Sequence, residues 1–144
     1  MVTKNYDNIM EINKKIILFI IMISGLIFVS TYFLNFIIYL WVGKNYDINW
    51  TFLLLVAFIV ILSIITHVYK TLLNAMSIVY IQVVIYMIGV IICFVLMFVL
   101  VKVLKLGVYF FLMSINIGLL LPAIILPITF YWRLSKLIKG GKQN

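Results

Sequence analysis

Acidic residues are almost missing from this chain. Asp and Glu together number 3 in 144 residues, and none lies in the four apolar runs at 16–42, 50–69, 79–101 and 106–132. A proton antiporter driven by a membrane carboxylate therefore has no carboxylate to use. Cysteine occurs once, at Cys93 in the third run, so there is no internal disulfide and no Cys pair to hold a metal. Cys93 reads as a small packing residue. Histidine also occurs once, at His67. Ser63 and His67 are four apart on one helix, a spacing that does not set a nucleophile against a base on another element. No Gly-rich phosphate loop and no acid/base pair occurs. The expectation is a protein that is not an enzyme and carries no cofactor and no metal.

Charge of either sign is scarce as well, at 10% of residues. Soluble domains carry about a quarter charged residues and are about half apolar. This chain is 67% hydrophobic, with a mean hydropathy of +1.33. About 20 apolar residues suffice for an α-helix to cross the hydrocarbon core of a bilayer. A soluble domain of this length could not bury four such segments. The pattern predicts an all-α integral membrane protein: a four-helix transmembrane bundle over 16–132, preceded by a segment at 1–15 and followed by a basic tail at 133–144. A signal peptide has an apolar region of only about 7–15 residues and then a small-residue cleavage site. The first run is longer and has no such site, so it reads as a retained span.

The net charge is +8, from 11 Lys and Arg. No basic stripe is interleaved with aromatics, which argues against nucleic acid as a partner and for membrane lipid. Lys4, Lys14, Lys15, Lys70, Arg133, Lys136, Lys139 and Lys142 fall on one side of a four-helix hairpin stack. Lys44, Lys102 and Lys105 fall on the other. The excess predicts that both termini are cytoplasmic. Trp and Tyr favour the headgroup level, and they gather at the run ends: Tyr39, Trp41, Tyr46, Trp50, Tyr69, Tyr80, Tyr131 and Trp132. Lys102 and Lys105 suit the negative end of the third helix.

The few polar and small residues recur at helical spacing, as one stripe in each run. The stripes are Ser24, Thr31 and Asn35; then Ser63, Thr66, His67, Lys70 and Asn74; then Gln82, Tyr86, Gly89 and Cys93; then Ser114, Gly118 and Pro122. Steps of three, four and seven fall on one face. Such stripes let membrane helices approach and hydrogen-bond, and Ser114-x-x-x-Gly118 has the small-xxx-small form of a packing face. The sharper alternative is a polar transport path. Asn35, His67, Asn74, Gln82, Ser114, Asn116 and Pro122 are the candidate packing or path-lining residues. Close to Lys70, His67 reads first as interfacial. Pro122 and Pro127 can kink or loosen the fourth helix.

Three connections carry a family likeness. Leu40-Trp41-Val42-Gly43-Lys44 closes the first run, and Tyr46-Asp47-Ile48 follows it. Leu72-Leu73-Asn74-Ala75-Met76 precedes the third run, which Gln82 opens. Leu104-Lys105-Leu106-Gly107-Val108 leads into the fourth, which ends in Leu126-Pro127-Ile128-Thr129-Phe130-Tyr131-Trp132 and a basic tail. In order and spacing the chain resembles the C-terminal part of the Wzx-type oligosaccharide flippases of bacterial polysaccharide biosynthesis. These belong to the superfamily that also holds the MATE exporters. The stretch from Asn5-Tyr6-Asp7 to Lys14-Lys15 resembles the linker ahead of those helices. It departs from the family at Ser77-Ile78-Val79-Tyr80, where a Gly-Lys type of turn is usual.

The resemblance implies a role in moving a lipid-linked oligosaccharide across the bacterial cytoplasmic membrane without covalent chemistry, by rocking two bundles around a cavity. Family members have about twelve helices in two related halves. It therefore also implies that this chain needs further helices, from an upstream continuation or a homo-oligomer, to transport anything. The competing expectation is a self-standing oligomeric four-helix membrane protein: a small exporter, a channel or a structural module. A Gly at position 107 is expected to supply a positive φ in the turn before the fourth helix.

Overall fold

A computed structural model describes the backbone of residues 3–44 and 48–140, and the side chains of 11–44 and 48–137. Asn45, Tyr46 and Asp47 of the first turn, the side chains of residues 1–10 including Lys4 and Asp7, the side chain of Lys139, and Lys142 lie outside the described set.

Four long helices account for the chain: α1 (Thr3–Val42), α2 (Trp50–Ala75), α3 (Tyr80–Met97) and α4 (Val108–Gly140). A π-helical turn, Phe98–Val103, continues α3. Each of the four stretches Glu11–Val42, Trp50–Ala75, Tyr80–Val103 and Val108–Leu137 is long and apolar enough to cross a bilayer. The expected all-α bundle of four spans is the architecture observed, and the protein is a multi-pass membrane protein.

The helices outrun the apolar runs in both directions. α1 starts at Thr3 rather than near 16, and α4 passes through the start of the basic tail to Gly140. Local chemistry explains both extensions. Glu11 and Lys15 pair at 2.9 Å one turn apart, which supports α1 just ahead of its apolar run. In α4, Leu134 stands four after Phe130, and both are buried, so the packed face continues beyond the last aromatic residue.

The helix ends are set by identifiable caps. Gly43 closes α1 in the left-handed region, at φ 71°. Asn49 caps α2, its side chain accepting the Thr51 N–H at 2.9 Å. The end of α2 is a Schellman motif: Ile78 N–H donates to Leu73 O at 3.0 Å and Ser77 N–H to Asn74 O at 2.9 Å. Ser77 takes the left-handed position at φ 58°, where Gly is usual. The turn before α4 corrects one expectation. Lys105, not Gly107, carries the positive φ, at 53°. The π turn ahead of it is closed by Leu104 N–H donating to Val99 O at 3.0 Å, and this widened turn puts the change of direction two residues earlier.

The bundle is built around α4. It packs along α2 and along α3, whereas α2 and α3 scarcely touch each other and α1 leans mainly on α2. The core gathers at the end of the molecule that holds the α2–α3 turn. Ile20, Tyr69, Leu73, Ile85, Leu126, Phe130 and Leu134 form one buried cluster there. Tyr69 meets Phe130 edge-on at 5.9 Å between ring centroids. Asn13 Nδ2 donates to the Tyr131 hydroxyl at 2.6 Å and ties α1 to α4 at the same end.

Candidate functional site: a groove between α2 and α3

Because α2 and α3 each follow α4 and not one another, a groove of about 520 Å³ opens between them, just beyond their connecting turn. Lys70 and Asn74 of α2 line one wall near the turn, and Gln82 and Tyr86 of α3 line the other. Farther along α3 the lining turns apolar, through Val83, Met87, Val90 and Ile91. The Lys70 ammonium lies 5.6 Å from the centroid of the Tyr86 ring. The ring face attracts the cation and spans the groove with it. Gln82 is held by the α2–α3 turn, its Nε2 donating to Ile78 O at 2.6 Å. The site thus has one cationic, hydrogen-bonding end and one apolar body, the polarity profile of a lipid.

Two of the seven predicted residues, Asn74 and Gln82, meet in this groove. Three others serve packing. Ser114 is fully buried and returns its hydroxyl hydrogen to Phe110 O at 2.8 Å. Asn116 spends both amide hydrogens, on Leu112 O at 3.0 Å in its own helix and on Leu55 O of α2 at 3.1 Å. It clamps α2 to α4, with its Oδ1 buried and unpartnered. Pro122 is buried in the α3–α4 seam. The remaining two, Asn35 and His67, lie exposed on the outer surfaces of α1 and α2 and join neither the groove nor the seam.

The α3–α4 seam explains the small residues. A Cβ added to Gly89 would lie 2.7 Å from Gly118 O, and one added to Gly118 would lie 2.7 Å from the Cys93 Cβ. The two backbones therefore touch. Pro122 has no N–H to offer the carbonyl four residues earlier, which is Gly118 O. That carbonyl lies against Gly89, where any larger residue would place its Cβ on the oxygen. A small cavity of about 180 Å³ remains along the seam, walled by apolar groups including Ile115 and Leu119.

Sequence reasoning missed Asn13, Tyr131 and Arg133 as candidate positions. Asn13 stands just ahead of the first apolar run, so its burial had no periodic signal. Among the described residues no three His, Cys, Asp or Glu come together that could hold a metal ion. Comparison with family models, with curated proteins and with solved structures finds no match to this chain.

Proposed function

We propose that this protein supplies four helices to a flippase that carries a lipid-linked oligosaccharide across the bacterial cytoplasmic membrane, with both termini cytoplasmic. The observation that carries the reading is the α2–α3 groove, with Lys70 at its polar end and Val83, Met87 and Val90 along its body. A diphosphate headgroup needs a cation, and a prenyl chain needs an apolar channel open to the bilayer. The groove offers both in the right order. The order and spacing of the turn motifs around Trp41, Asn74 and Gly107 point the same way. A single cation suits one phosphate, so further cations come from helices outside these four. The groove then guides the lipid while the assembled transporter handles the sugar.

Retention of a polyprenyl-diphosphate oligosaccharide by the purified chain in lipid nanodiscs tests this. The wild type is expected to retain it about fivefold more strongly than the Lys70→Gln variant, the effect of one cation near the surface. Equal retention by the two removes the groove from the account. Proteoliposomes holding this chain alone are expected to show no transport of the sugar, and transport there would overturn the need for further helices.

A further inference from the structure

A second cationic cavity lies on the other side of the α2–α3 turn, apart from the groove of Lys70. It has a volume of about 500 Å³ and is walled by Ala75, Met76 and Ile78 of the turn and by Arg133, Lys136 and Leu137 of α4. Its two charges are held in place by one aromatic ring. The Lys136 ammonium sits 3.8 Å from the centroid of Trp132, and the Arg133 guanidinium carbon sits 5.1 Å from it. Arg133 Nε is buried with no hydrogen-bond partner. Among the described residues the only ion pair is Lys15 with Glu11, so neither cation has an acidic neighbour there. At the end of α2 the Leu73 and Asn74 carbonyls accept the N–H groups of the Schellman motif.

The cavity sits where the apolar run of α4 gives way to basic residues, just past Trp132. Tyr131 and Trp132 stand one turn deeper, at the level aromatic side chains take beside lipid headgroups. Met76, Ile78 and Leu137 give the cavity an apolar side, on which the glycerol and upper acyl carbons of a lipid can rest. We propose that Arg133 and Lys136 form a binding site for the phosphate of an anionic phospholipid headgroup, seated between α4 and the α2–α3 turn. Arg133 donates from its planar fork and Lys136 acts as a point charge. The bound lipid fastens the end of α4 to the turn. This site needs only the membrane-spanning fold and does not depend on the transport reading.

Native mass spectrometry of the full chain, released from detergent with added phosphatidylglycerol or phosphatidylcholine, tests the proposal. The wild type is expected to retain phosphatidylglycerol and to lose phosphatidylcholine. Lys136→Gln, an exposed position that does not threaten folding, is expected to lower phosphatidylglycerol retention about fivefold, and Arg133→Gln with Lys136→Gln about thirtyfold. The double variant Lys102→Gln with Lys105→Gln removes the same charge elsewhere and is expected to retain the lipid as the wild type does. Equal losses in the two double variants would reduce the effect to overall charge and overturn the site. Displacement of the lipid by millimolar inorganic phosphate would overturn it also, by assigning the cavity to a free anion.

Discussion

The two sides of α3 are packed in opposite ways. Toward α4 it meets backbone with backbone, through Gly89, Cys93 and Gly118. Toward α2, its neighbour in sequence, it leaves an open groove around Lys70 and Tyr86. Both sides carry polar or small residues at helical spacing, yet one is sealed and the other open. What separates them is register. Small residues close a seam only where they face small residues on the partner helix. Gly25 on α1 makes the point from the other direction, because a Cβ there would meet nothing within 4 Å. A glycine in a membrane helix marks a close contact only when its partner is also stripped of bulk.

The sharpest way to break this contrast is to fill the seam. Gly118→Leu drives a side chain into Cys93 and the Gly89 carbonyl, and is expected to cost about 3 kcal/mol in reversible unfolding from mild detergent. Met87→Leu, on the open side, is expected to change stability by less than about 0.5 kcal/mol. Next in size is the polar clamp. Asn116→Ala removes the bond to Leu55 O between α2 and α4 and is expected to cost about 1 kcal/mol, read by the same unfolding. Tyr131→Phe, which strands Asn13 Nδ2, is expected to cost about the same and to loosen α1 alone, visible as faster proteolysis near Lys14 and Lys15. The smallest expected effect runs the other way. Ser77→Gly relieves a left-handed serine in the turn below the groove and is expected to stabilise by about 1 kcal/mol or less, seen as a small rise in Tm.

The four spans were legible because apolar length is a one-dimensional property, and a bilayer leaves a chain of this kind no other regular structure than helices. The seam was half legible. The spacing of Ser114, Gly118 and Pro122 marked one face of α4, and that of Gly89 and Cys93 one face of α3. Their meeting depends on the relative rotation of two helices, which no single stripe records. The groove was less legible still. Lys70 and Asn74 stood in the same stripe as Thr66, but Thr66 is buried and bonded to Ser63 O while Lys70 and Asn74 line the opening. A stripe about 100° wide can border both a packed face and a gap. The ends of the helices were the least legible, because Asn13 and Arg133 lie in polar segments where hydropathy falls and packing continues.

α3 is packed closely against α4 and open toward α2. Spin labels report it most directly, with oxygen as the relaxing agent in a bilayer. In a Cys93→Ala background, a label on Met87→Cys, a position now 60% exposed, is predicted to be mobile and strongly relaxed by oxygen. A label on Ser114→Cys, a position now 0% exposed, is predicted to be immobile and shielded. Equal mobility and equal oxygen access at the two positions would contradict the claim and remove the groove as a lipid site.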